Sequence, residues 1–174
     1  HHANLRMNHK KCSGAIEIDL KENAKELLEL LAEADVVVEN FRPGVMRSFG
    51  LGPNDISAIN PSVVYLSLPG FASDDERLSK LRAHEGIILA RSGLFSDMGL
   101  NRTLMGVDPS YTPLMQASTY ASALGAMAVS ACLHRRLRTG RGDHIEVPLA
   151  SALLQGGAPG GGGARADRYA PLRC

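Results

Sequence analysis

The feature that most constrains this chain is the close alternation of strand and helix signals from Gly14 to Phe71. GAIEIDL, Gly14–Leu20, alternates apolar and polar residues and predicts a strand. KENAKELLELLAEA follows, with Leu27, Leu28, Leu30 and Leu31 on one face and Glu and Lys opposite, which predicts a helix. DVVVEN is a short β-branched run, expected to form a strand buried on both faces. RPGVMRSFGL reads as a turn and short helix, and Asp55–Asn60 as a further helical turn stopped by Pro61. VVYLSLPGF predicts a third strand, broken at Pro69 and Gly70. Strands spaced by helices in this way form parallel α/β units. Ligands of such sheets bind outside the carboxyl ends of the strands. ENFRPG and SLPGFA both occupy such ends.

Beyond this region, EGIILARSG predicts a short helix, and Pro113–Arg138 is the strongest helical stretch. It is rich in small residues, which permit close packing, and its basic end, HRRLR, suits a helix C-terminus. TGRGD reads as a turn, and HIEVPLASALL as a strand that passes into a helix. The expected organisation is one domain over 1–155 and a Gly-rich disordered tail over 156–174.

A formal net charge of +1 gives no global field for nucleic acid or an anionic membrane. The lack of Trp and the 5% aromatic content argue against a stacking platform for single strands. The three cysteines are odd in number and form no CxxC pair, so neither a disulfide framework nor a metal site is expected. No signal peptide opens the chain, and its longest apolar-leaning stretch carries Gln116, Ser118, Thr119, Ser122 and Ser130. A cytoplasmic location without membrane partners is the expectation.

No dinucleotide fingerprint, Walker loop, HExxH or GxSxG is present. RAHEG sets Arg82, His84 and Glu85 together. It reads either as a surface loop or as a site in which His84 is an acid or base and Arg82 holds a phosphate. Asp108 in MGVDPSY is either a turn cap or a nucleophilic carboxylate. Asn40 and Phe41 are either turn and core residues or ligand contacts at a strand end.

The run from IDLKENAKELLELLAEADVVVENFRPG through SVVYLSLPGF, with LHRRLRTGRGDHIEVPLASAL downstream, resembles the family III CoA transferases of CaiB/BaiF type. That family includes formyl-CoA transferases and alpha-methylacyl-CoA racemases. The resemblance covers roughly Asn8 to Leu154. It implies a Rossmann-like large domain of which this chain is a fragment. It implies acyl-CoA and carboxylic-acid substrates, CoA as the carried group, no metal, and an interlocked homodimer or a second CoA-transferase module as partner. By resemblance, Ile18 and Lys21 fall at the adenine and phosphate end of CoA. Asn40 and Phe41 fall on its pantetheine and adenosine side, Arg82 at a basic CoA contact, and His84 at the racemase base. In the transferases an Asp attacks the acyl thioester, but its place falls near Ala117 or Ser118, and Asp108 lies about nine residues earlier. Three readings therefore stand. They are a truncated CoA transferase, active or inactive, that moves CoA between an acyl-CoA and a carboxylic acid, a racemase-like enzyme using His84, and a non-catalytic CoA-binding or dimerisation module.

Overall fold

The computed structural model describes residues 8–16, 21–95, 105–106, 108, 111 and 114–156. The predicted first strand lies partly outside this set. Its described residues, Gly14–Ile16, are irregular. The chain then runs through α1 (Lys21–Glu33), β1 (Val36–Glu39), α2 (Val45–Ser48), α3 (Pro53–Ile59) and β2 (Val64–Ser67). After them come α4 (Glu85–Arg91), α5 (Gln116–Thr139), β3 (Asp143–Glu146) and α6 (Leu149–Gly156). The predicted Gly-rich tail lies outside the described residues, apart from Gly156, which closes α6.

Among the described residues the three strands form one parallel sheet, ordered β1-β2-β3. Val36 pairs with Val64 and Val64 with Asp143. At the other end Glu39 pairs with Ser67 and Ser67 with Glu146. The α/β class expected from the alternation is what forms. The third strand of this sheet among the described residues is DHIE, Asp143–Glu146, far downstream of the first two.

One sheet face carries Val64, Leu66 and Ile145 against Ala121 and Cys132 of α5 and Ala152 of α6. The opposite face carries Val37 and Tyr65 against Leu31, Leu51 and Ile56. A third cluster joins Ile88 and Leu89 of α4 to Ala117 of α5 and Leu153 of α6. The small residues of α5 have a direct use. A Cβ on Gly125 would lie 3.0 Å from Leu66 Cδ2, so the helix sits close on β2.

β1 departs from expectation. Val37 is buried but Val38 is 58% exposed. α5 packs over β2 and β3; on β1 Val36 still packs against that cluster, whereas Val38 does not.

The amino ends of the strands are fastened by the basic end of α5. Arg136 Nη1 donates to the carbonyls of Ser62 at 3.1 Å and Asp35 at 3.3 Å, and Nη2 reaches Asp35 Oδ1 at 2.7 Å. Arg135 pairs with Asp143 at 2.6 Å. Gly140 ends the helix at φ 69°, in the left-handed region that glycine enters without strain. Gly142 then passes so close to β2 that a Cβ would meet Val63 O at 1.8 Å. Among the described residues no helix is long and apolar enough to cross a membrane.

Candidate functional site

With the amino ends occupied by arginine side chains, the carboxyl ends of the strands remain for a ligand. β1 ends at Glu39, and the chain turns outward through Asn40 and Phe41. Asn40 is exposed and Phe41 is 47% exposed. Phe41 is therefore not the core ring that one sequence reading allowed. Its backbone N–H donates to Glu39 Oε2 at 2.7 Å, which fixes the start of the corner. Leu68 N donates to Glu39 O at 2.8 Å, so the ladder extends one bond beyond β2. Gly44 completes the turn at φ 87° and admits the short α2.

The segment after β2 closes over α6 and receives the RAHEG loop. Leu149 N donates to Pro69 O at 2.8 Å and Ala150 N to Gly70 O at 3.1 Å. A Cβ on Gly70 would stand 2.0 Å from Ala83 Cβ, so only glycine lets Ala83 approach. Arg82 and His84 flank that contact, and both are exposed. Arg42 Nη1 donates to Lys80 O at 3.3 Å, which ties the ENFRPG corner to the same loop. The exposed ring of Phe41 and the cations Arg42, Lys80 and Arg82 thus share one edge of the sheet.

Four of the sequence-predicted residues, Asn40, Phe41, Arg82 and His84, are brought to this edge. Ile18 lies outside the described residues, and Lys21 opens α1 with its side chain outside them. Asp108 is exposed in an irregular segment. Its neighbour Tyr111 returns to the site, close to Gly86 and with its ring edge-on to Phe95 at 5.4 Å. Among the described residues no group of three metal-ligating side chains is present.

The most consequential carboxylate was not singled out by sequence. Glu85, beside His84, reaches across to the first turn of α5. It accepts Ala117 N–H at 2.7 Å, Ser118 N–H at 3.1 Å and Ser118 Oγ–H at 2.5 Å. α5 has no acid in its own first turn and no side-chain cap at Met115. Its free amides need an acceptor from elsewhere. That need was the one signal available in the sequence, and it did not say which acid would meet it. Glu85 therefore binds the two positions at which the resemblance expects an Asp.

A second polar cluster lies on the face shared by Tyr65. Ser67 Oγ is 3.2 Å from His144 Nε2 and hydrogen-bonds Glu39. Half-burial pushes the Glu39 carboxyl above its ordinary range; the bonds to Ser67 and Phe41 oppose that rise, and the Glu146 charge adds to it. His144 lies edge-on to Tyr65, with ring centroids 5.7 Å apart. Desolvation against β2 lowers its pKa, although the residue keeps solvent access, and Glu146 pulls the other way. Burial drives the Tyr65 phenol well above the usual range, and its OH donates to Leu51 O at 3.0 Å.

A family model described as CoA-transferase family III matches residues 3–166. The chain is 44% identical over 156 residues to the CoA-transferase/lyase DddD of Marinomonas sp., covering 90% of this chain and 19% of that protein. It is 32% identical over 147 residues to an acetyl-CoA:oxalate CoA-transferase of Acetobacter aceti, covering 80% of this chain and 36% of the other. It is 32% identical over 139 residues to human alpha-methylacyl-CoA racemase, covering 78% and 35%. Among solved structures, a CAIB/BAIF family protein from Brucella suis superposes with a TM-score of 0.74 at 27% identity, covering 84% of this chain and 37% of that one. The chain spans well under half the length of each of these relatives. Sequence and fold agree over nearly all of the described residues, and the chain belongs to CoA-transferase family III.

Proposed function

We propose that this chain supplies the nucleotide-binding edge of an enzyme that transfers CoA between an acyl-CoA and a carboxylic acid. The observation that carries this reading is the bond from Arg42, next to the exposed Phe41 in the corner after β1, to the backbone of the loop that bears the exposed Lys80 and Arg82. Cations on that edge suit the phosphates of CoA, and an exposed ring suits its adenine or the thin pantetheine arm. Asn40 adds an amide donor and acceptor beside the ring.

The covalent half of the reaction needs a carboxylate to take the acyl group from sulfur. Ala117 and Ser118 cannot do this, and their donors are held by Glu85. The chain is therefore a CoA-binding portion, and a carboxylate other than these two positions completes the reaction. The nucleophile comes from a second module or an interlocked partner, or from Asp108 brought inward. One observation favours a second reading, in which the exposed imidazole of His84 at the start of α4 takes the α-proton of an acyl-CoA.

Calorimetric titration of CoA into the chain tests the first reading. Saturable binding is expected, weakened about tenfold by Phe41→Ala or Arg82→Ala, the scale of one charge-assisted or stacking contact. Absence of binding, or wild-type affinity in both variants, would overturn it. Deuterium wash-in at the α-carbon of an acyl-CoA, lost in His84→Ala, would establish the second reading instead. Acyl exchange abolished by Asp108→Ala would assign the nucleophile to this chain.

A further inference from the structure

The polar cluster at the carboxyl edge contacts two ligand-facing loops at once. Register places Glu39, Ser67 and Glu146 side by side across β1, β2 and β3. Glu39 Oε2 accepts the amide of Phe41 at 2.7 Å, in the loop after β1. Glu146 Oε1 accepts the amide of Ser73 at 2.8 Å, in the loop after β2. Ser67 joins them from the middle strand, bonded to Glu39 and to His144.

The proton order in this cluster follows from donor counting. An ionised carboxylate only accepts, so the single hydroxyl proton of Ser67 goes to Glu39. Ser67 Oγ must then receive from His144, which fixes the neutral ring with its proton on Nε2. None of these side chains is among the proposed CoA contacts. Their common effect is on the backbone that carries those contacts.

We propose that Glu39, linked through Ser67 to His144 and flanked by Glu146, is a positioning residue whose ionised form holds the Asn40–Phe41 corner for CoA and whose protonation releases it. The inference deepens the CoA-binding reading and rests on it for the identity of the ligand. A neutral carboxyl is a weaker acceptor than a carboxylate, so acidification loosens the bond to the Phe41 amide. The groups that face this carboxyl are Glu146 on β3 and Tyr65 on β2. His144, at the far end of the chain of bonds, faces Glu146, Asp143 and Arg47 of α2. Glu146 raises the proton affinity of Glu39 and so brings release closer to neutral pH.

The test compares CoA binding by the full chain and its Glu39→Gln variant across pH. The ratio of the two dissociation constants removes the titration of CoA's own phosphates. At pH 7.5 the variant is expected to bind about tenfold more weakly, the scale of one charge-assisted hydrogen bond. The ratio is expected to fall to unity on acidification, with a midpoint above the ordinary glutamate value of 4.5. A ratio of one at every pH, or one that does not change with pH, would overturn the proposal. Should the wild-type chain bind no CoA, the functional reading falls, and the latch is judged on the free protein. There, the Phe41 amide resonance is expected to follow the Glu39 titration in wild type and to lose it in Glu39→Gln. Identical pH profiles of that amide in both proteins would sink the latch regardless of ligand.

Discussion

Removing the Glu85 carboxylate is the sharpest test of how the site is built. Three donors of α5 converge on it: Ala117 N–H, Ser118 N–H and Ser118 Oγ–H. Ala117 is fully buried, so in Glu85→Ala its amide has no water to turn to. An orphaned buried donor costs about 1–3 kcal/mol. Ser118 is only half-buried, and water replaces part of what its two bonds lose. Loss of a negative charge at a helix N-terminus adds about 0.3–1 kcal/mol. Together these give a destabilisation of about 3 kcal/mol for Glu85→Ala. Glu85→Gln keeps one acceptor oxygen but turns an NH₂ toward a donor, and is expected to cost about 1–2 kcal/mol. Urea unfolding followed by far-UV circular dichroism reads both. With a slope of about 2 kcal/mol per M, Glu85→Ala lowers the midpoint by about 1.5 M. A midpoint within about 0.25 M of wild type for Glu85→Ala would refute the claim that this carboxylate fastens α4 to α5.

Two further outcomes follow from the same geometry. Gly142→Ala places a methyl 1.8 Å from the Val63 carbonyl and is expected to cost more than about 3 kcal/mol, because backbone must move. Gly125→Ala meets only side-chain ends, Leu66 at 3.0 Å and Leu68 at 3.5 Å, and is expected to cost under about 1.5 kcal/mol; thermal denaturation showing equal losses would contradict this distinction. Stability against pH tests the polar cluster. Glu39, raised when folded, binds its proton more tightly in the native state. Its contribution is fully present below its ordinary 4.5 and lost as pH rises through the folded value. His144, lowered when folded, acts oppositely: its contribution is present above 6.5 and lost as pH falls through the folded value. Glu39→Gln is therefore expected to gain stability relative to wild type as pH rises past 4.5, measured by urea unfolding at several pH values. A difference that stays constant with pH would show that Glu39 is unperturbed.

Local chemistry was enough to read the elements of this fold. Leucines at helical spacing specify α1, β-branched runs specify β1 and β2, and small residues with a basic end specify α5, because each pattern acts over a few residues. It also placed Asn40 and Phe41 at a strand end. It did not reveal the partners of a carboxylate. Glu85 lies 32 and 33 residues from the amides it binds, and Glu146 lies 73 residues from Ser73. Nor did it show that Val38 stays exposed, since burial of β1 depends on where α5 crosses the sheet. The order of strands, the meeting of Ala83 with Gly70, and the shared face of Glu39, Ser67 and His144 arise only when parallel register brings distant segments side by side. Sequence determines which groups the chain can offer; the tertiary structure decides which of them share a proton, a charge or a ligand, because those interactions act over a few ångströms of space and not along the chain.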